Sequence, residues 1–402
     1  MSIAKPIEPP RPSAPPPAVS TALKHVALLV ETSGSYGRGL LRGIAKYNCA
    51  HGNWSTYFRP HGLADAPPKW LSQWRGDGLL VRIETKAVAD LIARLKVPTV
   101  NLRGTIPNLP FPYVSVDNAE LAKLAFQHFV DRGLKHFALC NRPRGRNKAM
   151  DERGDRFERL AKQAGYSCNI FIATSVDMDW EDEQEQMVKW IRALPKPVGI
   201  MAGNDERGLQ VLDACRRCGA SVPHEVAVLG VDNDESLCDL AIPPMSSIDV
   251  NAEGIGYEAA SLLDQMMNGK RVRSTSIKIP PRGVVTRRST DIIASEDEDV
   301  NRAVRYIREQ ACHGLRVVDV FNFLAMSRAS LHDRMKKITG LTVHQEIQRV
   351  RMARAKELLV MSPMTIKQIA RESGFASVQY MTRVFRAATG ETPAQYRRQR
   401  AK

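Results

Sequence analysis

From His25 to about Val231 the chain alternates short apolar runs with amphipathic stretches. The runs HVALLVE, GDGLLVRI, VPTVNLRG, HFALCN, NIFIAT, PVGIMAG and EVAVLGVD read as strands. GRGLLRGIAKY, AELAKLAFQHFVDRG, GDRFERLAKQAG and EQEQMVKWIRALP, lying between them, read as helices. Such alternation predicts parallel sheets in an α/β arrangement, and there are too many units for one compact sheet, so two lobes are expected. Several strands run into polar clusters: ETSGSYG, SVDN, GND and VDND. Open parallel sheets bind ligands beyond the carboxyl ends of their strands, so these clusters outline a candidate site.

The pattern changes at SEDEDVNR (295–302), whose acidic residues precede a helical stretch and suit a helix N-terminus. A boundary near 288–298 leaves an α/β domain over 24–288, a linker over 289–300 and an all-α domain over 301–402. The last of these repeats itself at an offset of about fifty residues. SLHDRMKKITGLT (330–342) aligns with YMTRVFRAATGET (380–392), and each copy pairs a short helix with a longer one across a tight break. Ser327 and Ser377 stand where the longer helices need N-caps. Leu331 with Met335, and Met381 with Phe385, have the i,i+4 spacing of an inward face. Arg328, Ser330, His332, Lys336, Gln379, Thr382, Arg383 and Arg386 are left outward. Between the copies, HQEIQRVRMARAKELL forms one long basic helix. The design is a helix-turn-helix used twice.

Charge separates a solvated hairpin from a nucleic-acid reader. The 402 residues carry a net charge of +15. Residues 1–299 hold 38 Lys and Arg against 36 Asp and Glu, whereas residues 300–402 hold 20 against 7, or +13. An excess this local favours a polyanion, duplex DNA, as partner. Seven of the first seventeen residues are proline, so residues 1–23 are expected to be a disordered tail and not a signal peptide. No apolar run approaches the length of a membrane span, and no membrane partner is expected. Seven scattered cysteines indicate a reducing cytoplasm. Cys215 and Cys218 form a lone CxxC, open to a redox role or to plain helix packing. No metal site, cofactor motif or P-loop emerges, and no catalytic residues are assigned. One enzymatic alternative stays open, an amidotransferase-like domain with Cys140 as nucleophile. The NRPRG that follows Cys140 lacks the small residues a nucleophile elbow needs. A purely architectural DNA binder would leave the α/β region without a role.

The C-terminal unit resembles the DNA-binding domain of the AraC family. The likeness rests on Ile369, Ala370, Gly374, Phe375, Arg383, Phe385, Gly390, Thr392, Pro393, Tyr396 and Arg397. The first copy departs from the family pattern, with Phe321 where Ala is usual and Asp333 where Arg is common. Ahead of it, TSGSYGRG, PYVSVDN, DERGDRF, MAGNDERGLQVLDACRRCG and VAVLGVDND followed by IPPMSSIDVN resemble the periplasmic-binding-protein-like effector domain of LacI-type regulators. A sensor of that kind joined to AraC-type helices is the architecture of xylose operon regulators, which the whole chain resembles.

The resemblance implies a two-lobed periplasmic-binding-protein-like effector domain followed by a double helix-turn-helix. It implies a transcription regulator, cytoplasmic and nucleoid-associated, binding operator or promoter DNA under control of a small sugar, foremost D-xylose. A homodimer is expected, with RNA polymerase a further partner if the regulator activates. By the same resemblance Arg153 matches a sugar-contacting Arg, and Asn204 or Asp205 the cleft amide and acid. Asp232 matches the acid after the last cleft strand and Asp117 the acid opening the second lobe, with Ser33 and Tyr36 in the first loop. Carboxylates, amides and Arg forks suit vicinal hydroxyls because each gives or takes two hydrogen bonds. Asp and Asn at strand-to-helix junctions also cap helices, a competing reading for each acid. Trp54, Trp70 and Trp74 could stack on a sugar ring or serve packing.

Overall fold

The computed structural model describes residues 23–400, apart from positions 53, 61, 63–64, 105, 107, 174–178, 271, 273–275 and 293–296. The expected proline-rich tail, but for its last residue, lies outside the described residues. The strands are β1 (Lys24–Leu29), β2 (Trp54–Phe58), β3 (Gly78–Val81), β4 (Thr99–Asn101), β5 (Tyr113–Val116), β6 (His136–Cys140), β7 (Cys168–Phe171), β8 (Val198–Ala202), β9 (Val226–Val231), β10 (Ser246–Asp249), β11 (Ser276–Ile279) and β12 (Gly283–Val285). The helices of the α/β part are α1 (Ser35–His51), α2 (Lys86–Leu95), α3 (Asn118–Val130), α4 (Lys148–Gln163), α5 (Trp180–Ala193), α6 (Asp205–Cys218), α7 (Glu235–Leu240) and α8 (Ala252–Met267). Seven more follow: α9 (Glu298–Gln310), α10 (Val317–Leu324), α11 (Arg328–Thr339), α12 (Val343–Met361), α13 (Ile366–Glu372), α14 (Val378–Thr389) and α15 (Pro393–Arg400).

Two compact units result. The first takes the chain up to Asp117 together with Val250–Arg282, and the second takes Asn118–Asp249 together with Gly283 onward. The first unit holds a six-stranded sheet in the order β11-β5-β4-β3-β1-β2, with every pair parallel. The second holds β12-β10-β9-β8-β6-β7, parallel except for β12. All six residues of β9 and all five of β8 are buried. Helices cover both faces of such a sheet, so the strands have no solvent side to make polar.

In the C-terminal helices each expected N-cap forms. The Ser327 hydroxyl accepts from the Ser330 N–H, and that of Ser377 from the Tyr380 N–H. Asp297 of the acidic stretch caps α9 by accepting from the Val300 N–H. Leu331, Met335, Met381 and Phe385 are fully buried. Two apolar clusters result, one under α9–α11 and the start of α12, the other under α12–α14 and Tyr396. Gly374 makes the second turn at φ 75°, where a Cβ would meet the Ala311 carbonyl oxygen at 2.5 Å. In the first copy the same left-handed corner is made by Ala325, at φ 53°.

Candidate effector site and nucleic-acid interface

In the first unit the polar residues gather where β1 and β3 end. Ser33 is exposed in the turn after β1, and Tyr36 lies half-buried in the first turn of α1. The Arg82 guanidinium, one residue past β3, sits 4.9 Å over the Tyr36 ring and forms a buried ion pair with Glu31. Glu31 Oε2 is buried and has no hydrogen-bond partner among the described residues, the kind of atom a ligand hydroxyl would satisfy. Glu31 and Arg82 were not singled out from the sequence, although both terminate strand-like runs and carry the polar-end signal used elsewhere. Asp117 closes β5, its N–H donating to the Ile279 carbonyl at 2.8 Å. Trp54 is buried and donates to Asp264, while Trp70 and Trp74 cluster with Tyr57, so all three serve packing.

In the second unit Arg153, Asn204, Asp205 and Asp232 come together at the carboxyl end of the sheet. Arg153 sits in α4 and not at a strand end. It is 6% exposed, donating from Nε to Asn118 Oδ1 (3.2 Å) and from Nη1 to the Gly203 carbonyl (3.0 Å). Asn118 also donates to Glu152 Oε2 (3.1 Å), which orients the amide that receives Arg153. Sequence reasoning missed Asn118, although it belongs to the quoted SVDN. Asn204 caps α6, its Oδ1 accepting from the Arg207 N–H (3.1 Å).

Asp205 is buried. It accepts from the Ser247 hydroxyl (2.5 Å) and from the Asp234 N–H (2.7 Å), tying α6 to β10 and to the start of α7. Burial and the neighbouring Asp232 carboxylate push its pKa up to about 8. Asp232 itself is half-buried on the turn after β9. It and Asn233 both hold positive φ, 106° and 50°, a conformation non-glycine residues adopt at a cost.

Cys140, the nucleophile of the amidotransferase alternative, ends β6 fully buried, and burial pushes its thiol up to about 12. A thiol held neutral in an apolar strand end is inert. Cys218 Sγ lies 3.4 Å from the Cys215 carbonyl one helical turn away, the packing contact of a helix interior.

The outward face expected of α11 and α14 divides by exposure. Arg328, Ser330, Lys336, Gln379, Arg383 and Arg386 are exposed, while His332 and Thr382 are half-buried. Arg383 lies over the Tyr380 ring. Among the described residues Arg328, Lys336 and Arg386 make no ion pair within the chain. Elsewhere in this part arginines are neutralised: Arg334 by Asp297 and Asp299, Arg316 by Asp319, and Arg308 and Arg349 by Glu346. Unpaired positive charge is thus concentrated where a phosphate or base edge could meet it.

Residues 126–290 match the model of the periplasmic binding protein-like domain, and residues 321–399 that of a helix-turn-helix domain. The xylose operon regulatory protein of Haemophilus influenzae is 31% identical over 379 residues, spanning 92% of this chain and 97% of that protein. The chain belongs to the xylose operon regulatory protein family. Its counterpart in Escherichia coli K12 is 29% identical over 94% of this chain and 97% of its own length. A solved structure of the xylose-binding transcription activator xylR superposes with a TM-score of 0.75 at 28% identity, covering 96% of this chain and all of that one. The CelR–cellobiose complex, at 22% identity and a TM-score of 0.52 over 66% of this chain and 84% of that one, shares the fold of the α/β part. Within this family the chain is a DNA-binding transcription regulator, with a periplasmic-binding-protein-like sensor ahead of its reader, and the amidotransferase alternative falls. Among the described residues no helix is long and apolar enough to cross a membrane.

Proposed function

We propose that this regulator responds to D-xylose, which binds at the polar strand ends and changes how the two helix-turn-helix motifs engage operator DNA. The observation that carries the reading is the buried Arg153 fork, oriented by Asn118 and the Gly203 carbonyl. It lies in a chain whose relatives, over 92% of its length, regulate xylose operons. A guanidinium already desolvated and held on two sides gives a sugar hydroxyl a pre-organised partner at little further ordering cost. Arg153 and Asp232 then hold adjacent hydroxyls, the Asn204 amide, whose Nδ2 donates to Glu206 Oε2 at 3.4 Å, adds a further polar group, and Asp205, with both oxygens engaged, shapes the site from behind. Ser33, Tyr36 and Asp117, with Glu31 and Arg82, are the candidate polar residues of the first unit. The sensor spans 24–288 and the reader 301–402. The protein works in the cytoplasm as a homodimer on paired operator half-sites, and as an activator it would contact RNA polymerase.

Calorimetry with D-xylose tests this. Wild type should bind, and Arg153→Ala or Asp232→Ala should each weaken binding by about 1–3 kcal/mol, because buried polar partners lose their hydrogen bonds. Unchanged affinity in both variants places the site elsewhere, and binding of another sugar in place of xylose removes the ligand assignment. Sedimentation of the same samples at micromolar concentration should show dimers, and a monomer would remove that part of the reading.

A further inference from the structure

The segment expected as a linker, 289–300, begins as part of the second unit's core. Ser289 and Thr290 are fully buried. The Ser289 hydroxyl donates to the Val228 carbonyl of β9 (2.5 Å), and that of Thr290 to Ser246 Oγ of β10 (2.7 Å). His128 Nε2 lies 2.8 Å from Thr290 Oγ1, and Arg132 Nε donates to the Thr290 carbonyl (2.7 Å). The segment is therefore a strap clamped to the sheet, and its two ends face different parts of the unit.

At one end Arg287 Nη1 donates to Asn233 Oδ1 (2.9 Å) and to the Met245 carbonyl (3.2 Å), while its Nε lies 3.5 Å from Asp239. Asn233 is the second residue of the positive-φ turn that carries Asp232. At the other end Asp291 Oδ1 accepts from Arg308 of α9 (3.2 Å) and Oδ2 from Arg349 of α12 (3.1 Å). Both arginines also hold Glu346, whose side chain is fully buried, through Arg308 Nε (3.3 Å) and Arg349 Nε and Nη2 (2.7 and 2.8 Å). Helix α12 joins the two helix-turn-helix motifs. Arg351, further along it, donates to the Ala311 and Leu315 carbonyls at the entry to the first motif. A second contact from the strap reaches the same helix, Arg288 to Glu357 at 4.0 Å.

We propose that Arg287 and Asp291 are positioning residues that relay the state of the Asp232–Asn233 turn to α12, and so to the spacing of the two DNA-reading helices. The inference rests on the xylose-responsive reading for its input, while the relay itself is a property of the strap. A strained turn has two accessible backbone settings, and a ligand on Asp232 selects one of them. Arg287 reads the setting through the Asn233 amide. The clamped strap cannot absorb a displacement, because its hydroxyls and carbonyl are all bonded to the sheet and α3. The displacement therefore emerges at Asp291, where a four-membered ion cluster with one fully buried carboxylate tolerates only discrete rearrangements.

The test uses the full-length protein. Sugar–operator coupling is measured as the ratio of D-xylose affinities with and without operator, which reciprocity equates with the effect of sugar on operator affinity. Wild type should couple by at least about fivefold. Asp291→Asn and Arg287→Lys should bring the ratio to within about twofold of one, while xylose affinity without DNA and operator affinity without xylose each stay within about threefold. A merely structural role would move stability and the separate affinities but leave the ratio. If Asp291→Asn does not fold, Arg287→Lys decides alone. Wild-type coupling retained in the folded variants overturns the relay. If wild type binds no pentose, the functional reading fails, and hydrogen exchange without sugar decides the relay. Arg287→Lys should then speed amide exchange over residues 343–352 of α12 relative to wild type, and unchanged exchange there overturns the proposal.

Discussion

Asp205 shows how a buried side chain can be held entirely by partners within the chain. Its two oxygens are bound to Ser247 and the Asp234 N–H, and it is buried beside Asp232. Burial and that like charge favour the neutral acid, so its pKa in the folded protein, about 8, lies far above the unfolded value near 4. The sign follows from proton uptake. Between those two values the native state binds more protons than the unfolded chain, so the contribution of Asp205 is fully present below about pH 4 and is lost as pH rises through 8. Asparagine reproduces the neutral acid, its amide donating to Ser247 Oγ while its oxygen accepts from the Asp234 N–H. Asp205→Asn should therefore flatten the decline in stability between pH 5 and pH 8.5 and match or exceed wild type at the upper end. Urea unfolding of both proteins at the two pH values checks it, and parallel pH profiles would contradict the assignment.

The two helix-turn-helix copies are not equivalent as elements. The second turns at Gly374, with a positive φ and no room for a Cβ against the Ala311 carbonyl, while the first turns at Ala325 in the same backbone region. The first corner thus carries the left-handed cost of an L-residue, on the order of 1 kcal/mol, which its N-cap and apolar cluster offset. Gly374→Ala adds that cost and a backbone clash, so the second motif should lose about 1–3 kcal/mol. The loss should appear as a lowered urea midpoint together with weakened operator binding. Ala325→Gly should change stability by less than about 1 kcal/mol, because relief of the corner is opposed by the greater freedom of glycine in the unfolded chain. Equal effects of the two substitutions would mean that the corners are not the asymmetric feature.

Over the whole molecule, the +13 of residues 300–402 overstates the charge available to DNA, because Asp291, Asp297 and Asp299, which precede that range, pair with Arg308, Arg334 and Arg349 inside it. The available part includes Arg328, Lys336 and Arg386, with Arg383 over Tyr380 and Gln379 at the start of α14. Asp333, exposed on α11 where the second copy has Arg383, puts a negative charge where the second reader carries a positive one. Lys336→Ala and Arg386→Ala should lower affinity for operator and random duplex alike, and each should reduce the log–log salt slope by about 0.9. Arg328→Ala and Gln379→Ala, near the helix starts, should instead cost about 1–3 kcal/mol of discrimination at one or two base pairs. Titrations of both duplexes at several salt concentrations separate the two classes, and identical behaviour of Arg328→Ala and Lys336→Ala would dissolve the distinction.

Sequence by itself determined what is local: seven of the strands, the long helices between them, the serine caps, the inward Leu331, Met335, Met381 and Phe385, and the repeated motif with its charge. Each follows from periodicity, capping chemistry or composition within a short window. It did not reveal that the chain enters the second unit after Asp117, returns at Val250 and leaves again at Arg282. Strand order in a sheet depends on crossovers and not on chain order, and short exposed strands such as β11 and β12 carry little pattern. Nor could it separate Asn204, a cap, from Asp205, a buried tie, or Arg153, a desolvated fork, since all read alike as polar residues near strand ends. Only the tertiary structure decided that, because burial and hydrogen-bond partners come from segments distant in the chain: Ser247 for Asp205, Asn118 for Arg153, Glu346 for Arg308. The same holds for the segment expected as a linker. Its hydroxyl residues look like ordinary connecting chain until β9, β10 and α3 close around them and make them part of a core.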